Sequence, residues 1–264
     1  MDHVLQILSR TLKRTLATVV LMMVITTTQS GTLTLEPFSA VYSARYSGIT
    51  LEATRTLSKT ADNQWEMTTE ARNFMGQINE TSRFTLDDGT LQSDYYRYKR
   101  RVLGSSKQEE QLFDWNEKVS GYYVDRGPDS KPRREITLSQ PLFDRSNYQL
   151  QLIQDLRDGI EELSYQVADR GRQREYRFER LGSETLDTAV GKVETVKVIR
   201  VRDDDDRETL LWFAPTLNYL LVQMEHTEEG HGSHTLRLVR IDRVGAGDRF
   251  TATQSSARLT GNSW

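Results

Sequence analysis

Cysteine is absent from the 264-residue chain. That excludes disulfides, thiolate zinc sites, iron–sulfur clusters, a cysteine nucleophile and a lipidated N-terminal cysteine. Proline and glycine are scarce, at 5 and 16, beside 4 Trp, 11 Tyr and 8 Phe. A chain so composed can bury a core and is not wholesale disordered. A basic excess is lacking too: 35 Lys plus Arg face 38 Asp plus Glu, a net charge of −3. No nucleic-acid partner is expected of such a balance. Neither Gly-x-Gly-x-x-Gly nor a Walker pattern occurs, so no nucleotide cofactor, and no cofactor at all, is implied.

Long apolar runs are missing except for one. Arg10, Lys13 and Arg14 precede Leu16 to Ile25, and a polar stretch from Thr26 to Thr32 follows. A basic region, an apolar stretch of about 7–15 residues and small residues at a cleavage point make a secretory signal. Thr28 and Ser30 occupy the small-residue positions, which places cleavage after Ser30. The run is short against the roughly 20 residues of a spanning helix, so an uncleaved anchor is the alternative. Residues 1–30 are read as a signal helix and 31–244 as one β-rich domain. The Gly/Ser/Thr-rich stretch 245–264 is read as a disordered tail. Removing the leader leaves 32 basic and 37 acidic residues, a mildly acidic protein expected to be soluble in the periplasm after export.

From Glu36 onward apolar residues alternate with period two. Phe38, Ala40, Tyr42, Ala44 and Tyr46 share one face of a half-buried strand, with Ser39, Ser43 and Arg45 on the other. Similar runs follow over Leu51–Leu57, Trp65–Phe74, Ile78–Leu86, Tyr95–Val102, Gln111–Trp115 and Val119–Val124. Turn formers such as Asp87-Asp88-Gly89 separate them. Short links require antiparallel neighbours. After a polar loop from Asp125 to Arg134 and a short strand closed by Pro141, Ser146–Asp158 reads as a helix. Ser146 and Gln149 suit a capping box, and Gly159 suits a terminator. A second series of strands spans Glu161–Ala168, Arg172–Leu181, Val193–Arg202, Glu208–Ala214, Tyr219–Thr227 and Thr235–Arg243. The fold class is therefore mainly β: a large curved antiparallel sheet, half-barrel or barrel-like, wrapping one helix. Charges on the outward face of the strands, Arg97 and Lys99 among them, argue against an outer-membrane barrel.

These elements carry a resemblance. Tyr42-Ser-Ala-Arg-Tyr-Ser-Gly48, Phe113-Asp-Trp115, the Tyr148–Leu156 helix, Gly191 to Val198, Leu211-Trp-Phe-Ala-Pro215 and Tyr219-Leu-Leu-Val222 occur in that order. Together they resemble the DUF3108 family of exported bacterial proteins over about residues 36–242. Leu221 stands where the family pattern usually has a proline. The resemblance implies export and a fold akin to periplasmic half-barrels that carry lipoproteins or lipids. It implies no established activity.

Few residues invite chemistry. Histidines beyond the leader are confined to His226, His231 and His234. They form a weak nitrogen-ligand set for a metal, but Glu228 to Ser233 reads as a glycine-bearing hairpin tip. No nucleophile elbow accompanies them, so a serine triad is not expected. Asp203 to Asp206 lack the spacing and glycine of a calcium loop and read as a turn. Glu52, Glu66, Glu70 and Glu80 could furnish paired carboxylates for a glycosidase, with nothing to single out two of them. Most aromatics on predicted strands belong to the core. A sheet that wraps one helix can also leave a groove, for which Tyr42, Tyr46, Trp65, Trp115, Tyr148 and Trp212 are the candidate walls. The expected function is a non-catalytic binding or carrier module for an apolar or amphipathic envelope molecule, lipid or glycan. An enzyme on envelope polysaccharide and a structural partner in an envelope protein complex are the alternatives.

Overall fold

The computed structural model describes residues 32–46, 49–74, 76–203, 206–230 and 232–244. The expected leader and tail lie outside these residues. So do His231, Asp204 and Asp205 and the side chain of Tyr46. Among the described residues no helix is long and apolar enough to cross a membrane.

One sheet of fourteen antiparallel strands contains nearly all the regular structure. The first series is β1 (Phe38–Tyr46), β2 (Ile49–Ala61), β3 (Gln64–Asn73), β4 (Gly76–Asp87), β5 (Thr90–Val102), β6 (Ser105–Asp114), β7 (Val119–Val124) and β8 (Arg134–Thr137). After helix α1 (Tyr148–Asp158) come β9 (Leu163–Asp169), β10 (Arg172–Thr188), β11 (Gly191–Val201), β12 (Arg207–Ala214), β13 (Leu220–Glu228) and β14 (Gly232–Val244). Each series is a meander of hairpins. The loops Asp88-Gly89, Leu103-Gly104 and Arg170-Gly171 all have positive φ at both central residues. That geometry matches the right-handed twist of the flanking strands. The two meanders join where β1 pairs with β14, Tyr42 opposite Leu238.

The free edges, β8 and β9, come together. Phe143 and Val167 form a parallel bridge, with Phe143 N–H donating to Gln166 O at 2.9 Å and Ala168 N–H to Phe143 O at 2.8 Å. Arg134 Nη1 donates to Arg170 O at 2.9 Å, and Gly171 N–H to Gln111 Oε1 at 3.2 Å. The sheet is thus a nearly closed barrel, which disposes of most of its edge. Of the half-barrel and barrel-like forms expected, the structure shows the barrel-like one, closed by contacts far apart in sequence.

Helix α1 fills part of the barrel. Leu152 and Leu156 are fully buried with Tyr148 against Tyr165, Val167, Tyr176, Phe178, Leu211 and Phe213. It starts at Tyr148, two residues later than the sequence suggests, and the capping box does not form. Asn147 is the N-cap and makes no side-chain cap bond. Buried Asp144 instead accepts the backbone N–H groups of Ser146 (2.7 Å) and Asn147 (2.9 Å) on Oδ1. At the other end Gly159 is left-handed at φ 74° and its N–H returns to Leu156 O, as a terminator should. Arg180 Nη2 donates to the carbonyls of Asp155, Leu156 and Ile160 at 3.0–3.2 Å, a cation on the negative end of the helix.

Strand β10 runs past its expected end at Leu181 to Thr188, through a bulge between Arg180 and Gly182. The extension packs Leu186 with Val190, Val193, Trp212, Ala214 and Val222. Trp212 and Ala214 alternate with the helix-facing Leu211 and Phe213, so these two side chains lie on the opposite face of β12.

Candidate functional site

The helix leaves part of the interior empty. A cavity of about 500 Å³ lies between its first turn, at Gln149, and the inner face of β1–β5, β13 and β14. Its cause is small side chains on adjoining strands. Ala53 pairs with Ala71 across β2–β3, and Ala44 of β1 pairs with Leu51 of β2, all on the inward face. Neighbouring alanines leave space that no other side chain reaches. Leu51, Ile78, Leu221, Met224 and Leu236 complete an apolar wall, and Arg45, Asn73 and Arg100 line the cavity near the strand ends.

The floor is polar and held in place. Arg55 donates from Nη1 to Gln149 Oε1 at 2.6 Å and from Nη2 to Met67 Sδ at 3.2 Å, while its buried Nε has no hydrogen-bond partner. Glu80 Oε1 accepts Tyr96 O–H at 2.6 Å. Tyr42, also on the wall, is 1% exposed and donates its O–H to Leu221 O at 3.0 Å. Burial pushes this phenol up to about 12, with nearby Arg55 opposing, so it stays a neutral donor. The cavity can surround an apolar group and offer arginines to a polar one.

Of the five groove-wall aromatics whose side chains are described, Tyr42 alone lines this cavity. Trp65 packs in a core cluster with Leu57, Met67, Phe84 and Leu150. Trp115 stacks on Phe113 at 6.4 Å and donates its indole N–H to Ser93 O at 2.8 Å. Tyr148 meets the edge of Tyr176 at 5.2 Å inside the helix core. Trp212 points away from the helix and donates to Glu184 Oε2 at 3.0 Å. Tyr46 carries a side chain outside the described residues. The structure therefore separates the set, and alanines define the space the aromatics were read to enclose.

His226 and His234 face each other across β13–β14 with ring centres 6.1 Å apart, and His226 Nδ1 lies 2.8 Å from Thr209 Oγ1. Among the described residues no group of three or more His, Asp or Glu is placed to hold a metal ion. The four glutamates divide by face. Glu80 lines the cavity, whereas Glu52 and Glu70 are exposed and alternate with inward-facing residues, and Glu66 binds Arg83 at 2.7 Å on the outer face.

A second, wholly different hollow of about 580 Å³ lies beside the first, lined by charged residues of β9–β13 and by Arg145. Arg145 Nη1 binds buried Glu109 at 3.1 Å, and its guanidinium stands 5.7 and 5.9 Å from the ring centres of Tyr96 and Tyr98.

The sequence matches the family DUF3108, described as a protein of unknown function, over residues 41–239. No curated protein matches it. Two solved structures align distantly. One is a candidate lipoprotein from Parabacteroides distasonis, 12% identical with a TM-score of 0.31, over 78% of this chain and 95% of that one. The other is a candidate outer membrane lipoprotein-sorting protein domain from Vibrio parahaemolyticus. It is 11% identical with a TM-score of 0.21, over 81% of this chain and 87% of that one.

Proposed function

The chain belongs to the DUF3108 family, and on that premise we propose that it is a non-catalytic carrier whose barrel holds one apolar or amphipathic molecule of the cell envelope. One observation carries the reading: a cavity of about 500 Å³ with an apolar wall, a fixed polar floor and arginines near the strand ends. That volume falls in the range of small-molecule sites, roughly 300–1,000 Å³, and the pairing of apolar wall with a few placed polar groups is what such sites use. The basic and apolar segment at residues 10–25 supports export, and the periplasm is the compartment in which the carrier works.

The glycosidase reading lacks its geometry. A glycosidase needs two carboxyl groups flanking one bond. Of Glu52, Glu66, Glu70 and Glu80 only Glu80 lines the cavity, and it already accepts from Tyr96. A role as an envelope scaffold through bare strand edges is less well served, because Phe143 covers part of the β9 edge.

Native mass spectrometry of the protein purified from the periplasm, followed by solvent extraction, tests the proposal. The expected spectrum contains a discrete adduct of one lipid-sized or glycan-sized molecule. Ala71→Trp fills the cavity and should lose the adduct while keeping the circular dichroism of the parent. A bare mass from the parent, with no uptake of an added alkyl detergent, would sink the carrier.

A further inference from the structure

The charged hollow has a composition that the fold alone does not explain. Of the thirteen described residues that line it, seven are arginines and three are carboxylates. Asp169 is shared by Arg145 (3.5 Å) and Arg174 (3.6 Å), and Arg177 takes both Glu175 (3.7 Å) and Asp203 (2.8 Å). Arg200 lies flat against Tyr176, 3.4 Å from the ring centre, and its buried Nε has no hydrogen-bond partner. Glu109 also takes Arg145 (3.1 Å) and Arg170 (3.7 Å), and a recess lined mainly by arginines favours the entry of an anion. Arginine is also the side chain whose planar fork matches phosphate oxygens two at a time.

Both hollows open at one end of the barrel. In an antiparallel meander the C-terminal ends of odd strands and the N-terminal ends of even strands lie together. The charged hollow draws on Asp169 at the end of β9, Arg174 at the start of β10, and Arg202 and Arg207 around the β11–β12 turn. The apolar cavity reaches Arg45 at the end of β1, Val102 at the end of β5 and His234 at the start of β14. Their linings touch. His226 lines one and His234 the other, and these rings stack across the strand pair. Arg145 lines one, and Tyr98, beneath its guanidinium, lines the other.

We infer that the carried molecule is an anionic amphiphile, its apolar part in the alanine-walled cavity and its phosphate-class oxyanion among Arg174, Arg200 and their neighbours. This rests on the carrier reading and adds the chemistry of the headgroup. A neutral headgroup would forgo the charge-assisted hydrogen bonds that the buried Nε of Arg200 and its neighbours can donate.

Calorimetry on the purified protein with three probes below their micellar concentrations separates the possibilities: dodecyl phosphate, dodecyl maltoside and inorganic phosphate. Dodecyl phosphate should bind at least about tenfold more tightly than dodecyl maltoside, since a hydrogen bond to a charged group contributes that much. Inorganic phosphate should compete with it. Arg174→Gln with Arg200→Gln should abolish the preference and leave the maltoside affinity unchanged. Arg174→Gln alone, at a half-exposed position that folding tolerates, should remove part of it. Ala71→Trp should lose maltoside while retaining inorganic phosphate. Equal affinity for the two amphiphiles would overturn the headgroup assignment and leave the carrier standing. Binding of inorganic phosphate without either amphiphile would make the hollow a free-oxyanion site and overturn both. Binding of none would do the same.

Discussion

Asp144 shows how one carboxyl can organise a helix start from outside the helix. It is fully buried, its Oδ1 takes two backbone N–H groups, and its Oδ2 accepts Ser82 O–H at 2.6 Å. Asn147 completes the link, accepting Asp144 N–H and donating to Ser93 Oγ, both at 2.9 Å, so the start of α1 is tied to β4 and β5. Burial raises the carboxyl to about 7, against the pull of Ser82 and the two amides. In the unfolded chain the same group ionises near pH 4. Its contribution to stability is therefore full below about pH 4 and is lost as the pH rises from there to 7. Urea midpoints across that window should fall for the parent relative to Asp144→Asn, which keeps an acceptor for the amides and a donor for Ser82. A parallel pH dependence in both would contradict the assignment. Asp144→Ala orphans Ser82 and two amides and should cost about 1–3 kcal/mol for each buried group left unpaired. Nothing in the sequence around Asp144 marks it, because its partner Ser82 is remote. The cavity was illegible for a similar reason. Aromatic residues advertise burial, whereas a void is made by Ala44, Ala53 and Ala71, each unremarkable until its cross-strand neighbour is known.

At the level of elements the strands were readable from period two, since each has one inward face, and their turns from Asp-Gly and similar pairs. Boundaries slipped where tertiary contacts took over. The tail of β10 carries mostly exposed residues and gives no periodic signal, yet it pairs with β11 and packs Leu186 against the second cluster. The β9–β10 hairpin illustrates a loop whose glycine answers two demands. Gly171 has φ 71°, and a Cβ there would come within 2.7 Å of Tyr122 Cβ and 2.6 Å of Arg134 Cβ, across the seam. Gly171→Ala should therefore destabilise the fold by about 1–3 kcal/mol from backbone strain and overpacking together. Gly104 is the control: also left-handed, at φ 80°, but with nothing within 4 Å of a Cβ, so Gly104→Ala should cost only the strain. Equal urea midpoints for the two variants would mean that the seam does not constrain the turn.

On the scale of the molecule, hairpins supply almost every neighbour, and two long-range contacts do the rest: the β8–β9 seam and the β1–β14 pairing. Neither could be read from local pattern, which is why the sequence left half-barrel and barrel-like sheets both open and the structure shows the nearly closed, barrel-like one. The β1–β14 pairing also fixes how the barrel would yield to force. Phe38 and Val244 are register partners, so the first and last described strands run side by side with their outer ends together. A load applied at those two ends meets the hydrogen bonds between the strands one at a time, as a zipper does, because in an antiparallel pair they lie across the strands. The line that parts separates Tyr42 and Ala44 from His234 and Leu236, which is to say it runs through the wall of the cavity. Tension between the ends of the domain would open the barrel along its binding chamber, and an occupant touching both walls would be the stitch that resists.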